Sequence, residues 1–218
     1  MLVKDYMTRH PIMISPTTSA AEAQRLMVES KVRHLPVVGD GKRLLGLVTR
    51  ERLRIPPTDL ASLNVWEISR ILANLTVEDV MLKGGDLVSI DPDATLEEAA
   101  KIMVDNKVGS LPVLEEGIVV GIITEVDMLV QLAELLGAYV PGVRVMVRVP
   151  NKVGETAKIT SAIASQGWGI YASGSGPAPK DPDSWDIVLK VRGAAKEAIV
   201  AALEKIDGQE VIDVREQT

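Results

Sequence analysis

Apolar positions along the chain fall into two regimes. In the first, short apolar runs alternate with amphipathic stretches. Ile12-Met13-Ile14 reads as a strand, ended by Ser15-Pro16. Ala23, Leu26, Met27 and Ser30 then recur at helical spacing. Ser19 is placed to cap that helix, with Glu22 three residues on as in a capping box. Val32 to Val38 and Leu44 to Val48 are strand-like runs, divided by the turn residues Gly39-Asp40-Gly41. The same alternation returns later. Thr95, Leu96, Ala99, Ala100 and Met103 mark a helix, Ser110 to Leu114 and Ile118 to Ile123 two strands, and Glu125 to Leu136 a longer helix closed by Gly137. Between the two stretches, Pro56-Pro57 ends one helix and Val65 to Leu72 predicts a linker helix.

The return is an internal repeat. Asp5-Tyr6-Met7 recurs as Asp79-Val80-Met81, and Glu22-Ala23 as Glu98-Ala99. Leu35-Pro36-Val37 recurs as Leu111-Pro112-Val113, and Gly46-Leu47-Val48-Thr49 as Gly121-Ile122-Ile123-Thr124. The offsets are 74, 76, 76 and 75 residues. Four landmarks in one order define two copies of a strand-helix-strand-strand-helix unit, over residues 1–76 and 77–138.

Pro141-Gly142 opens the second regime. Val143, Val145, Val147 and Val149 alternate strictly, the pattern of a half-buried strand. A helix over Gly154 to Ser165, a strand over Gly169 to Ser173 and a Gly/Pro loop over Gly174 to Ser184 come next. Trp185, Ile187, Leu189 and Val191 alternate again. Ile199, Ala202, Leu203 and Ile206 form a helix face, and Val211 to Val214 a last strand. The order βαββαβ over residues 141–218 is that of the ferredoxin-like split βαβ unit. The fold class is therefore α/β (α+β).

Composition narrows the chemistry. Hydrophobic residues make up 46% of the 218 and aromatic residues 3%, with no Phe. The cores must be aliphatic, and stacking platforms for single-stranded nucleic acid are few. A net charge of −6 opposes general binding to phosphate backbones, so no nucleic-acid partner is expected. The absence of Cys removes disulfides, thiolate catalysis and cysteine-ligated zinc. With only His10 and His34, no metal site is expected. The N-terminal stretch lacks an apolar signal core. The most apolar segment, Ile118 to Val140, is broken by Glu125, Asp127 and Glu134 and does not read as a membrane span. The expected location is cytoplasmic.

The sharpest motif is Gly121-Ile122-Ile123-Thr124-Glu125-Val126-Asp127, where a strand passes into a helix. Residues three apart at a helix start face the same way, so Thr124 and Asp127 converge. A carboxylate there accepts from two adjacent ribose hydroxyls, as the acidic residue of dinucleotide folds does. The helix start offers unpaired N–H groups to phosphate. The same Thr-x-x-Asp spacing also serves as a helix cap that needs no ligand. Gly174-Ser175-Gly176 lacks the Lys and helix start of a phosphate loop and reads as a hairpin loop.

The two Leu-Pro-Val segments and the two Gly-apolar-apolar-Thr segments resemble CBS motifs, which would form one CBS pair (a Bateman module). Val149-Pro150-Asn151-Lys152-Val153-Gly154-Glu155 resembles the first strand–helix turn of an ACT domain. The whole arrangement is similar to the acetoin-utilisation regulatory family. The resemblance implies that Thr124 and Asp127 hold a ribose, that Ile90, Val108, Gly109 and Ser110 line an adenine slot, and that Arg33-His34 meet phosphate. It also makes Asn151, Val153 and Gly154 a possible ACT ligand corner, and it implies a homodimer.

The expected function is non-catalytic: AMP, ADP or ATP bound as a regulatory ligand, with no obligatory cofactor, relayed through the ACT-like part to an unidentified partner enzyme. Two alternatives stand beside it, a ligand-free dimerisation or docking module and a sensor of another adenosyl compound such as S-adenosylmethionine. Arg52 stands in the first copy where the second has Asp127. Arg is donor-only and cannot accept from ribose hydroxyls, so one nucleotide per chain is expected, in the second copy.

Overall fold

A computed structural model describes residues 1–53 and 75–217. Arg54, Pro56-Pro57 and the helix expected over 65–72 lie outside the described residues. The chain divides into two compact units, Met1–Met128 and Leu129–Thr218.

The first unit contains the repeat. Its elements are α1 (Val3–Tyr6), β1 (Thr8–Arg9), α2 (Ala20–Glu29), β2 (His34–Val38), β3 (Leu44–Thr49), α3 (Val77–Val80), α4 (Leu96–Asn106), β4 (Ser110–Glu115) and β5 (Ile118–Thr124), and α5 (Glu125–Leu135) starts within it. The register of the two hairpins is duplicated. His34 faces Thr49 in β2–β3, and Ser110 faces Thr124 in β4–β5. Each hairpin carries an irregularity in the same place, after Val37 and after Val113. Lys31 and Lys107, which end the corresponding helices, share a left-handed φ near 55° (56° and 54°). The strands expected to open each copy are reduced to single parallel bridges, Ile14 to Val37 and Ile90 to Val113.

Two aliphatic cores result. One gathers Ala23, Met27, Leu35, Val37 and Val48; the other gathers Ala99, Met103, Leu111, Val113 and Ile123. The opening helices are exchanged between them. Val3 of α1 is buried in the second copy's core, whereas Val77 of α3 and Met81 are buried in the first copy's core. Bridges from Leu2 to Thr95 and from Ser19 to Thr76 tie the exchange down. β1 pairs with β5, and Leu47 bonds reciprocally with Leu82 at 3.1 and 2.8 Å. The crossings demand glycine. A Cβ on Gly46 would sit 2.7 Å from the Leu82 carbonyl oxygen, and one on Gly121 would sit 3.1 Å from that of Thr8.

In the second unit, β6 (Gly142–Pro150), α6 (Glu155–Ser165), β7 (Gly169–Pro177), β8 (Ser184–Arg192), α7 (Lys196–Leu203) and β9 (Glu210–Gln217) occur in that order. The sheet is antiparallel with strand order β7-β8-β6-β9, the split βαβ arrangement. Val143, Val145, Val147 and Val149 pack with Ile187, Leu189, Val191, Ile159, Ile163, Ile199 and Leu203 in one core. The opposite face of the sheet is polar. Arg148 grips Asp186 with two bonds of 2.8 and 2.9 Å, and Arg144 pairs with Asp213 at 2.7 Å. Lys190, 1% exposed, donates to the Gln217 side chain; burial lowers its pKa, with Arg144 and Arg192 adding to the effect.

One expectation is corrected by the sheet. Gly174-Ser175-Gly176 is not a hairpin loop but lies within β7, paired with Val188, Ile187 and Asp186. The reason is packing: a Cβ on Gly174 would come within 2.9 Å of Leu136 Cδ2. Glycine there serves close approach rather than a turn.

Candidate functional site

Strands β3 and β5 each end at a Thr, and the two corners differ in the residue three positions further on. At Thr124, Asp127 Oδ2 accepts from the Thr backbone N–H at 2.8 Å and from its hydroxyl at 2.7 Å, while the Asp127 N–H lies 3.4 Å from Thr124 Oγ1. This is a closed capping box. The same chemistry closes two other helix starts, Thr76 with Asp79 and Thr95 with Glu98. These bonds hold the Asp79 and Glu98 carboxyls below their ordinary pKa.

At Thr49 the box is open. The Arg52 N–H reaches Thr49 Oγ1 at 3.4 Å, and the guanidinium turns away to the Val80 carbonyl oxygen, also at 3.4 Å. The position that holds the closing acid in the second copy is here a cation.

Beside the open corner lies a cleft of about 610 Å³. The first copy lines it with His34, Leu47, Thr49, Glu51 and Arg52. The second lines it with Asn106, Lys107, Val108, Gly109 and Ser110, and the approach to that copy adds Leu82, Gly85, Asp86 and Val88. Its size is in the range of small-molecule sites. Leu47, Leu82, Val88 and Val108 give it apolar walls. Ser110 is 2% exposed, and its Oγ is one of two buried side-chain polar atoms without a hydrogen-bond partner among the described residues. A buried hydroxyl left unpaired is costly unless something supplies the bond. His34 has its pKa lowered by burial and by Arg33, against the opposing pull of Glu51 and Glu125. It is therefore a neutral hydrogen-bonding group at neutral pH.

The sequence-predicted residues are thus divided. Val108, Gly109, Ser110 and His34 line this cleft, but in company with Thr49 and Arg52 rather than Thr124 and Asp127. Ile90 is core, bonded to Pro112 and packed with Leu111 and Val113. Arg33 borders a separate depression of about 530 Å³ with Gln24, Val28, Lys31 and Arg50. It also pairs loosely with Glu125 at 3.4 Å. The division stems from the exchange of opening helices, which sets the corner of one copy against the slot of the other. Thr49, Glu51, Asp86 and Lys107 are cleft residues that a reading copy by copy does not find. The repeat offsets hold a signal for Thr49 alone.

In the second unit, Gly154 takes φ 95° ahead of α6, and a Cβ on it would meet open space. Val153 is wholly exposed, and the Asn151 N–H bonds to the Asp183 carbonyl at 2.8 Å. Nearby, Glu155 is buried and bonded to Lys158 at 2.7 Å and to Gln209 at 3.4 Å, which hold its carboxyl below its ordinary pKa. Gln209 Oε1 is the other buried atom without a partner among the described residues. No group of three or more metal-ligating side chains occurs among them. No helix among them is long and apolar enough to cross a membrane.

Two interleaved βαββ copies with matched strand-to-helix corners define a class, the tandem repeat pair. The CBS domain model matches residues 3–55 and 77–134, just over half the chain, and the chain belongs to the CBS domain family. An uncharacterised protein of Methanocaldococcus jannaschii is 35% identical over 135 residues, which is 59% of this chain and 46% of that protein. The inosine-5'-monophosphate dehydrogenase of Korarchaeum cryptofilum is 33% identical over 126 residues, 57% of this chain and 23% of the enzyme. The chain thus spans less than half the length of either relative. A solved structure from Vibrio cholerae, named for acetoin utilization (AcuB), superposes with a TM-score of 0.52 at 34% identity. It covers 64% of this chain, and the match takes in 96% of its own.

Proposed function

We propose that the CBS pair is a regulatory module that binds an adenine nucleotide, AMP, ADP or ATP, and that the C-terminal unit is an ACT-like domain that relays the bound state. The observation that carries the reading is the buried, unpartnered Ser110 hydroxyl at the wall of an apolar-sided cleft. A flat base fills such a slot and supplies the missing bond from its polar edge. The relay needs two states with different affinity for the ligand. The exchanged helices supply a link, since a ligand in the cleft touches both copies at once.

Thermal unfolding of the full chain against AMP, ADP, ATP, S-adenosylmethionine and adenosine tests this. A ligand at a hundredfold excess over its dissociation constant adds about 2.7 kcal/mol of stability. A response to the nucleotides is expected; a response to S-adenosylmethionine alone moves the assignment to another adenosyl compound, and a flat panel removes it.

A second reading has its own observation. α5 and the residues after it leave Leu129, Leu132, Leu135, Leu136 and Tyr139 each more than 40% exposed. A contiguous apolar stripe of this kind favours association, and a homodimer is the proposed state. Light scattering at micromolar concentration is expected to give twice the chain mass of 23.5 kDa. A monomer at that concentration refutes the dimer.

A further inference from the structure

We infer that Met7 is an oxidation site: its thioether locks the opening helix of the first copy onto the second copy, and conversion to the sulfoxide by a peroxide releases that helix. Where the copies cross, each glycine face is met by a methionine sulfur. A Cβ on Gly46 would come within 2.5 Å of Met81 Sδ, and one on Gly121 would come closer still to Met7 Sδ. Met7 directly follows α1, as Met81 directly follows α3. The Met7 N–H donates to the Val3 carbonyl at 2.9 Å, and the next two residues, Thr8 and Arg9, pair with Ile122 and Gly121. Met7 therefore sits at the joint of α1 and β1, the two elements that tie the start of the first copy to the core and sheet of the second. A thioether suits such a joint, because it is apolar and adapts to a narrow gap.

The two sulfurs differ in access. Met81 is 8% exposed, whereas Met7 is half-buried. The chain has eight Met and no Cys, so thioethers are its only oxidisable sulfurs. The reaction with a peroxide transfers one oxygen. A sulfur lone pair attacks a peroxide oxygen, the O–O bond breaks and an S–O bond forms. The departing oxygen takes up the proton of the attacked one and leaves as water or an alcohol. The product carries a polar acceptor on the atom that faces Gly121. The other close neighbour of that face is the Thr8 carbonyl oxygen, 3.1 Å from the same Cβ position and also an acceptor. The new oxygen gains no bond from it and crowds the crossing. The helix α1 then leaves the core in which Val3 is buried with Leu111, Val113 and Ile123. Two thiols reverse the change, becoming a disulfide as the sulfoxide oxygen departs as water.

Hydrogen peroxide treatment of the full chain, followed by peptide mass mapping and thermal unfolding, provides the test. Met7 should gain one oxygen before Met81 does. The unfolding midpoint should then fall by about 4–10 °C, the loss expected from a buried acceptor left unpaired. Methionine sulfoxide reductases with a dithiol should restore it. Hydrogen exchange should place the lost protection at β1 and β5. Met7→Leu keeps the size and apolarity without the sulfur; it should unfold like the untreated chain and ignore peroxide. Met81→Leu should respond as the native chain does. The inference is overturned if Met7 resists peroxide or is oxidised after Met81, or if its sulfoxide forms with no change in midpoint. It is equally overturned if treated Met7→Leu loses as much as the treated native chain. Should Met7→Leu fail to fold, a native-chain midpoint that the reductases do not restore overturns it alone.

Discussion

The corners at Thr49 and Thr124 occupy matched places in the repeat and do opposite things. In the second copy the residue three past Thr is Asp127, and the corner is satisfied from within. In the first it is Arg52, and the corner faces outward with a cation and an unclosed cap. A repeated backbone therefore carries one corner closed by its own acid and one left open. A Thr-x-x-Asp signature accordingly marks a helix start before it marks a site. Three boxes of this kind close helix starts among the described residues.

The largest effect is expected where the two cores are struck at matched positions. Leu35 and Leu111 are both fully buried. Truncation of either to Ala should cost about 2–5 kcal/mol. Because α1 and α3 are exchanged, each variant should lower a single denaturation transition of the first unit. Two separate transitions, one per copy, would show that the copies are independent.

Next in size is the cap itself. Asp127→Ala should lower stability by about 1 kcal/mol, and Arg52→Asp should raise it by about the same amount by closing the open box. Urea midpoints measured without ligand read both. A neutral Arg52→Asp would mean that the Val80 contact, not the missing acid, holds that corner.

His34 and Ser110 occupy equivalent places, and only one titrates. Burial keeps the His34 pKa below its ordinary 6.5, so the unfolded chain takes up this proton at higher pH than the folded one. Stability is then complete above about pH 6.5 and declines as the pH falls through that value toward the folded pKa. His34→Ser should flatten the dependence between about pH 7 and 5. An unchanged slope there assigns it to other groups.

The smallest effect is expected at Arg33–Glu125, where both side chains are about half exposed at 45% and 54%. Arg33→Ala should change stability by no more than about 1 kcal/mol, and its loss should be screened by salt.

The repeat and both hairpins are legible in the sequence because identical residues fall at nearly constant offsets. The sheet of the second unit is legible because Val143 to Val149 alternate without a break. The features hidden from the sequence are tertiary. Val3 and Val77 sit in four-residue helices too short to show periodicity, and nothing local says that each belongs to the other copy's core. That exchange brings the two copies together, so the cleft sets Val108, Gly109 and Ser110 of one copy beside Thr49 and Arg52 of the other, a juxtaposition no local pattern announces. Gly174 escapes a local reading for a similar reason: its use is set by Leu136, 38 positions away.

The exchange has a consequence for how the chain is made. During synthesis Val3 emerges long before Leu111 and Val113, its eventual neighbours. Until those strands leave the ribosome the first helix has no core to join, and the hydrophobic face prepared for Val77 and Met81 stays uncovered until residues 77–81 emerge. Contacts this distant along the chain slow folding, because loop closure precedes any reward from packing. A nascent first copy thus exposes apolar surface until residues 77–81 follow it.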